Sequence, residues 1–300
     1  MGYLNYLYFS ILFFILVLST FLYQIKRSKP IKRKAKLKAD IQNFINKKLN
    51  TLHDLKFIGV GKVGAVFSSK LSDGWENQLR ICWKTSKVFY EDVAVKLCLF
   101  KGKEKERCKI LSDIADIIDK AKSTSSSLEI CEFYAIGLIT DSDSQTQYVV
   151  EIMSLIKGKR LDVVLKKEYL NPKTTIPELL KMLETVLFLE ENGYYTRNLD
   201  VENIIVQPDD RWIRIDFDNL KKVSEFPLLR MERLTRMCRK VLNRIDNQAK
   251  NPRFHHIIDR LKKTENTNLK KINLEQIPTH LQNFLIKSPQ ELIDLLKELI

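Results

Sequence analysis

The sequence predicts an α+β chain, mainly strands in its first folded half and mainly helices in its second. Three observations carry this. Between residues 53 and 153, short runs of β-branched and aromatic side chains are broken by glycines, the pattern of strands and hairpin turns. From residue 154 onward most apolar residues recur at helical spacing behind capping residues and prolines. Ahead of both lies a run over residues 1–25 that has no charged side chain.

Composition bounds the rest. The 300 residues are 44% hydrophobic and 29% charged, which describes a folded chain with ample core: one larger domain of two lobes, or one or two compact domains with an appendage. The apolar run, dominated by Leu, Ile, Phe, Val and Tyr, is long enough to cross a bilayer, which takes about 20 residues. Tyr3, Tyr6, Tyr8 and Tyr23 suit its two interfaces. It lacks the basic start and small-residue cut site of a signal peptide. Lys26, Arg27, Lys29, Lys32, Arg33, Lys34, Lys36 and Lys38 follow with no acid before Asp40. The expectation is therefore one transmembrane helix over 1–25, a basic linker and connector helix over 26–52, and a cytoplasmic domain over 53–300. The basic stretch 26–38 would also attract anionic lipid headgroups. These eight charges supply more than half of the net +14, so a nucleic-acid partner is not needed to explain the basicity.

Cys82, Cys98, Cys108, Cys131 and Cys238 show no paired spacing, which predicts reduced, mostly buried thiols and no zinc site. Residues 40–52 read as the connector helix. FIGVGKVGAVFSSKL follows, with Gly59, Gly61 and Gly64 among β-formers. A dinucleotide loop demands a helix directly after its glycines, whereas Ala65-Val66-Phe67 continue as a strand, so the glycines read as a hairpin tip. Residues 72–92 form an insertion or extended hairpin, for which packing of Trp75 and Trp83 into the core is the simpler reading and partner docking the alternative. DVAVKLCLF alternates as a strand and carries Lys96; KEKERCKILSDI opens a helix; Tyr148 to Met153 is another apolar strand.

TTIPELLKMLETVLFLEENG reads as a helix with a Thr175–Glu178 capping box, Pro177 in its first turn and Gly193 at its end. After the loop YYTRNLDVEN come two short strands joined at Pro208-Asp209-Asp210, the second ending at Asp216. Leu228, Leu229, Leu234, Met237, Cys238 and Val241 mark one face of an arginine-rich amphipathic helix. The arginines read as a solvated face, or as a basic patch that meets phosphate-bearing substrates or the membrane. The chain closes on a helix capped by Ser288, with Pro289 at its first position and Glu291 completing the box.

In this order the parts resemble the protein kinase-like superfamily. Gly59, Gly61, Gly64 and Val66 match its glycine loop, Lys96 its phosphate-binding lysine, Glu151 to Met153 its hinge, Arg197 to Asn203 its catalytic loop, and Asp216-Phe217 the start of its metal-binding segment. The similarity covers residues 55–220. It implies a two-lobed fold, a small β-rich N-lobe over 53–153 and a helical C-lobe over 154–300, binding ATP and Mg²⁺. By the same resemblance Lys96 holds the α- and β-phosphates, Asn203 and Asp216 ligate the metal, and Lys96 pairs with an acid on the following helix. Glu106 is the candidate for that acid, with Glu104 and Asp113 as alternatives.

Four positions depart from the pattern. Asn198 stands where the family has its catalytic aspartate, Thr196 replaces the preceding histidine, Asp218 replaces the last glycine of the metal-binding segment, and no APE-like segment follows. Asparagine orients a hydroxyl but does not accept its proton, and loss of a general base costs about 10²- to 10⁴-fold in rate. Asp200, two residues on, is the alternative base; Arg197 and Asn198 complete the loop. The Ile215-Asp216-Phe217-Asp218 string is similar to the small-molecule branch of the superfamily, which includes lipopolysaccharide Kdo kinases, whereas the glycine loop is more like that of protein kinases. Two functions follow: a phosphotransferase acting on a protein or small-molecule hydroxyl, or a nucleotide-binding pseudokinase serving as a membrane-proximal scaffold or switch.

Overall fold

The computed structural model describes residues 36–37, 39–41, 52–61, 64–71, 75–86, 92–100, 102–123, 128–141, 143, 145–196, 200–217, 220–222, 227–249, 252–266, 286 and 288–300. Strand β1 (Leu52–Val60) turns back into β2 (Gly64–Leu71), and at the tip the Gly61 N–H donates to Gly64 O at 2.8 Å. β3 (Arg80–Lys84), β4 (Val93–Cys98), β5 (Phe133–Asp141) and β6 (Thr146–Ser154) complete a six-stranded sheet in the order β1-β2-β4-β6-β5-β3. Every neighbouring pair is antiparallel.

Both faces of this sheet are covered, which is why β4 is buried at every residue. Helix α1 (Glu104–Ser123) lays Cys108, Leu111, Ile114, Ala115 and Ile118, spaced as one helical face, against Ala94, Cys98, Val149 and Met153. On the other face Ala65, Phe67, Val95, Leu97, Val150 and Ile152 pack beneath Ile41 and Trp75. The insertion thus builds core and edge together. A 3₁₀ turn, Trp75–Gln78, brings Trp75 into the core, and β3 then pairs with β5 at the far edge. Gly64 meets a close approach, because a Cβ there would collide with Leu97 O and lie 2.7 Å from the Cys98 Sγ.

Leu155 to Gly158 lead out of the sheet into β7 (Lys159–Arg160) and α2 (Leu161–Lys167). Gly158 has φ +155°, and a side chain there would strike Val206 O, so only glycine lets the connection lie against the next sheet. α3 (Pro172–Glu191), α4 (Pro227–Ala249), α5 (Pro252–Asn266) and α6 (Pro289–Lys297) bury Leu179, Leu183, Val186, Leu234, Cys238, Val241, Leu261, Leu292 and Leu296 in one core. The Ser288 side chain caps α6 by accepting the Glu291 N–H at 3.1 Å. β8 (Tyr194–Thr196) pairs with β11 (Leu220–Lys222). β9 (Ile204–Val206) lies between β10 (Trp212–Arg214) and β7.

Three expectations change. α3 starts at Pro172, because Asn171 caps it by accepting the Lys173 N–H and Pro172 presets the first turn. Thr175 and Glu178 consequently fall inside the helix and are buried. The connector helix does not reach residue 52: Leu52 already belongs to β1, residues 36–37 and 39–41 are helical, and 42–51 lie outside the described residues. The transmembrane helix drops out of the fold class. Residues 1–25 lie outside the described residues, and among the described residues no helix is long and apolar enough to cross a membrane. The long helices α1 and α3 alternate apolar and charged faces, and lipid would strand those charges. The fold is α+β, a six-stranded antiparallel sheet with helices.

Candidate functional site

The β9–β10 hairpin sets up the site. Its turn closes through Gln207 N–H to Arg211 O at 2.8 Å and Asp210 N–H to Gln207 O at 3.0 Å, with Asp210 in the left-handed region at φ +66°. Aspartate tolerates that region better than most side chains. Beyond the paired strands one more bond forms, Ile215 N–H to Asn203 O at 3.0 Å, so Asn203 and Asp216 occupy adjacent positions of the ladder. On the outer edge of β10, Arg214 N–H donates to Glu129 O and Cys131 N–H to Arg214 O, both at 3.0 Å. The Trp212 N–H donates to the Glu178 carboxylate of α3 at 3.0 Å. Asp216 is therefore delivered by a strand tied along one edge to both the segment leading into β5 and helix α3, and along the other to β9.

Lys96 reaches it from the sheet. The Lys96 Nζ donates to Asp216 Oδ1 at 2.8 Å and lies 3.8 Å from Glu151 Oε1. Lys96 and Glu151 face each other across the β4–β6 register, as Val66 and Lys96 do across β2–β4. Glu151 is 0% exposed, the Lys96 side chain 9% and the Asp216 side chain 26%, so the ammonium is sandwiched between a buried acid and one that opens to solvent. A buried ammonium stays charged only when paired in this way.

Phe217 fixes the far side of Asp216. It is buried, stands edge-on to Phe133 with centroids 5.4 Å apart, and carries the Arg214 guanidinium over its ring at 4.8 Å. Arg214 is 1% exposed, and its Nε, Nη1 and Nη2 have no hydrogen-bond partner among the described residues. Desolvation pulls its pKa down to about 10, against which the Asp216 charge acts.

The structure brings Lys96, Asp216, Glu151 and the Asn203 position together. Gly59, Gly61 and Gly64 lie in or beside the β1–β2 hairpin and Val66 follows in β2. Glu151 and Met153 are both buried inside β6 and not in the connection leaving the sheet, which starts after Ser154. The acids of α1 are engaged elsewhere or face solvent: Glu106 is exposed, Glu104 accepts the Gly102 N–H at 2.9 Å, and Asp113 accepts the Tyr194 hydroxyl at 3.0 Å. Asp200 is half-buried, and its carbonyl accepts the Asn203 N–H at 2.9 Å. Arg197 and Asn198 lie outside the described residues. No protein-family model matches the chain, and no curated protein is similar to it in sequence.

An ammonium, a carboxylate and an amide suit a polyphosphate with magnesium, which takes hard oxygen ligands and keeps several waters. Among the described residues no three His, Cys, Asp or Glu side chains gather as a metal cage; a site of one carboxylate, one amide and waters does not require one. Sequence reasoning missed Glu151 as the partner of Lys96, although an acid in the middle of the apolar run YVVEIM is itself a signal. It also missed Arg214, whose place in WIRI gives it the alternation of an inward position.

Proposed function

We propose that the chain is a nucleotide-dependent phosphotransferase of the protein kinase-like superfamily, binding ATP with magnesium and transferring a phosphoryl group to a hydroxyl of a protein or small molecule. The observation that carries this reading is the 2.8 Å contact of Lys96 with Asp216, with Asn203 one ladder bond away from the strand that delivers Asp216. Magnesium, held by Asn203 and Asp216, would neutralise phosphate charge, the larger part of what phosphoryl transfer asks of a protein. Lys96 would bind phosphate oxygens, and the β1–β2 glycine hairpin would contribute backbone N–H groups other than that of Gly61, which Gly64 O already holds. Asn198 orients the acceptor hydroxyl, and Asp200 is the nearby carboxylate for its proton. Asn198 itself favours the second reading, a nucleotide-binding pseudokinase, because an amide is no base.

Thermal unfolding of the full chain with and without ATP and magnesium tests binding. Ligand at about 100 times its Kd should stabilise by about 2.7 kcal/mol, and Asp216→Ala should abolish the gain. A wild type that gains nothing ends the proposal. ATP turnover then separates the two readings. Phosphotransfer predicts weak activity in the wild type, lost in Asp200→Ala; activity that appears only in Asn198→Asp means a pseudokinase.

A further inference from the structure

We propose that Glu151 is the positioning residue for Lys96, so that the phosphate-binding lysine is set by the sheet itself and not by helix α1. This rests on the nucleotide reading above and adds the residue that prepares the site. Three features support it. Glu151 is fully buried, stands opposite Lys96 in the β4–β6 register, and brings Oε1 to 3.8 Å from Nζ. Its backbone is locked by pairing on both sides, since β6 lies between β4 and β5 and Glu151 also faces Ile136. The acids of α1 are engaged elsewhere or face solvent: Glu104 holds the Gly102 N–H, Asp113 holds the Tyr194 hydroxyl at the head of the loop, and Glu106 is exposed.

The consequence is a division of labour. A helix that slides or tilts on a sheet carries its side chains with it, whereas two residues opposed in an antiparallel ladder keep their separation as long as the sheet exists. Lys96 is therefore aligned before ligand arrives. Asp216, with the more exposed of the two carboxylates, is free to exchange its contact with Lys96 for a metal, while Glu151 stays behind as counter-charge. Asp113 of α1 is committed instead to the Tyr194 hydroxyl.

Binding of ATP with magnesium, and separately of adenosine, is measured on the full chain for the wild type, Glu151→Gln, Glu151→Asp, Glu106→Gln and Asp113→Asn. Glu151→Gln should weaken ATP by about 10- to 100-fold, the usual cost of removing a group that orients a ligand. Adenosine, which has no phosphate for Lys96, should bind as before. Glu151→Asp should recover part of the loss, and Glu106→Gln and Asp113→Asn should bind ATP like the wild type. Equal loss of adenosine and ATP in Glu151→Gln would mean a structural role only and overturns the inference. So does a tenfold loss of ATP in Glu106→Gln or Asp113→Asn, which stands even if Glu151→Gln does not fold. A wild type that binds neither ligand removes the nucleotide reading itself.

Discussion

Replacing Arg214 by methionine should stabilise this protein. The side chain is 1% exposed, and all three guanidinium nitrogens lack a hydrogen-bond partner among the described residues. Desolvation lowers its pKa from 12.5 to about 10. The folded value lies below the unfolded one, so at neutral pH both states hold the proton and the folded state bears the full penalty. The unfolded state binds the extra proton between those two values, and stability rises with pH only in that window. That lowering corresponds to about 3 kcal/mol. Against this stands the cation–π contact with Phe217, about 2 kcal/mol when desolvated. Methionine keeps the length, fills the space and recovers about 0.3–1.5 kcal/mol through its own sulfur–aromatic contact. The net gain for Arg214→Met is about 1–3 kcal/mol, within the range seen when buried ions give way to apolar side chains. Urea unfolding at neutral pH reads it as a higher midpoint at unchanged slope. A loss of more than about 1 kcal/mol would refute the reasoning, since it would mean that the guanidinium is satisfied after all.

Three further substitutions test the packing around the site. Gly64→Ala must drive a methyl into backbone Leu97 O, which cannot move without breaking β2–β4 pairing, so a loss of several kcal/mol is expected; Gly59→Ala, with nothing within 4 Å, should change stability by about 1 kcal/mol or less. Equal effects in urea titrations would contradict the close approach at Gly64. Tyr194→Phe removes the hydroxyl bonded to Asp113 and should cost about 1 kcal/mol. Burial and that bond raise the Tyr194 pKa from 10.0 to about 12, so the unfolded state ionises first. This tyrosine's contribution is whole below pH 10.0 and is lost as pH rises toward about 12. The wild type should therefore lose stability relative to Tyr194→Phe over that interval, and parallel curves would exclude the linkage.

What the sequence made legible follows the range over which each interaction acts. The glycine hairpin, the Lys96 strand, the α6 cap and the Asn203–Asp216 hairpin are local patterns of turn chemistry, alternation and capping. Each stands in the structure at those residues. The α3 start failed because two starts compete within four residues: Thr175 with Glu178 is a good capping box, but Asn171 before Pro172 comes earlier, and Glu178 is claimed by Trp212. That claim comes from another element, which no local pattern reveals.

The partner of Lys96 is illegible for the same reason. Whether an acid 10 residues away on a helix or 55 residues away on a strand meets the ammonium depends on strand order, and the order β2-β4-β6 is a global outcome. In that order three separate antiparallel registers set Val66 against Lys96, Lys96 against Glu151 and Glu151 against Ile136. Four strands thus place one lysine and one acid in a row with apolar residues on either side. A buried carboxylate stripped of its counter-charge there would cost several kcal/mol, so Glu151 depends on Lys96, whereas Lys96 also holds Asp216 at 2.8 Å. Removing Lys96 alone should therefore destabilise the sheet more than removing Glu151 alone, and removing both together should cost less than the two single losses summed, as urea unfolding would read.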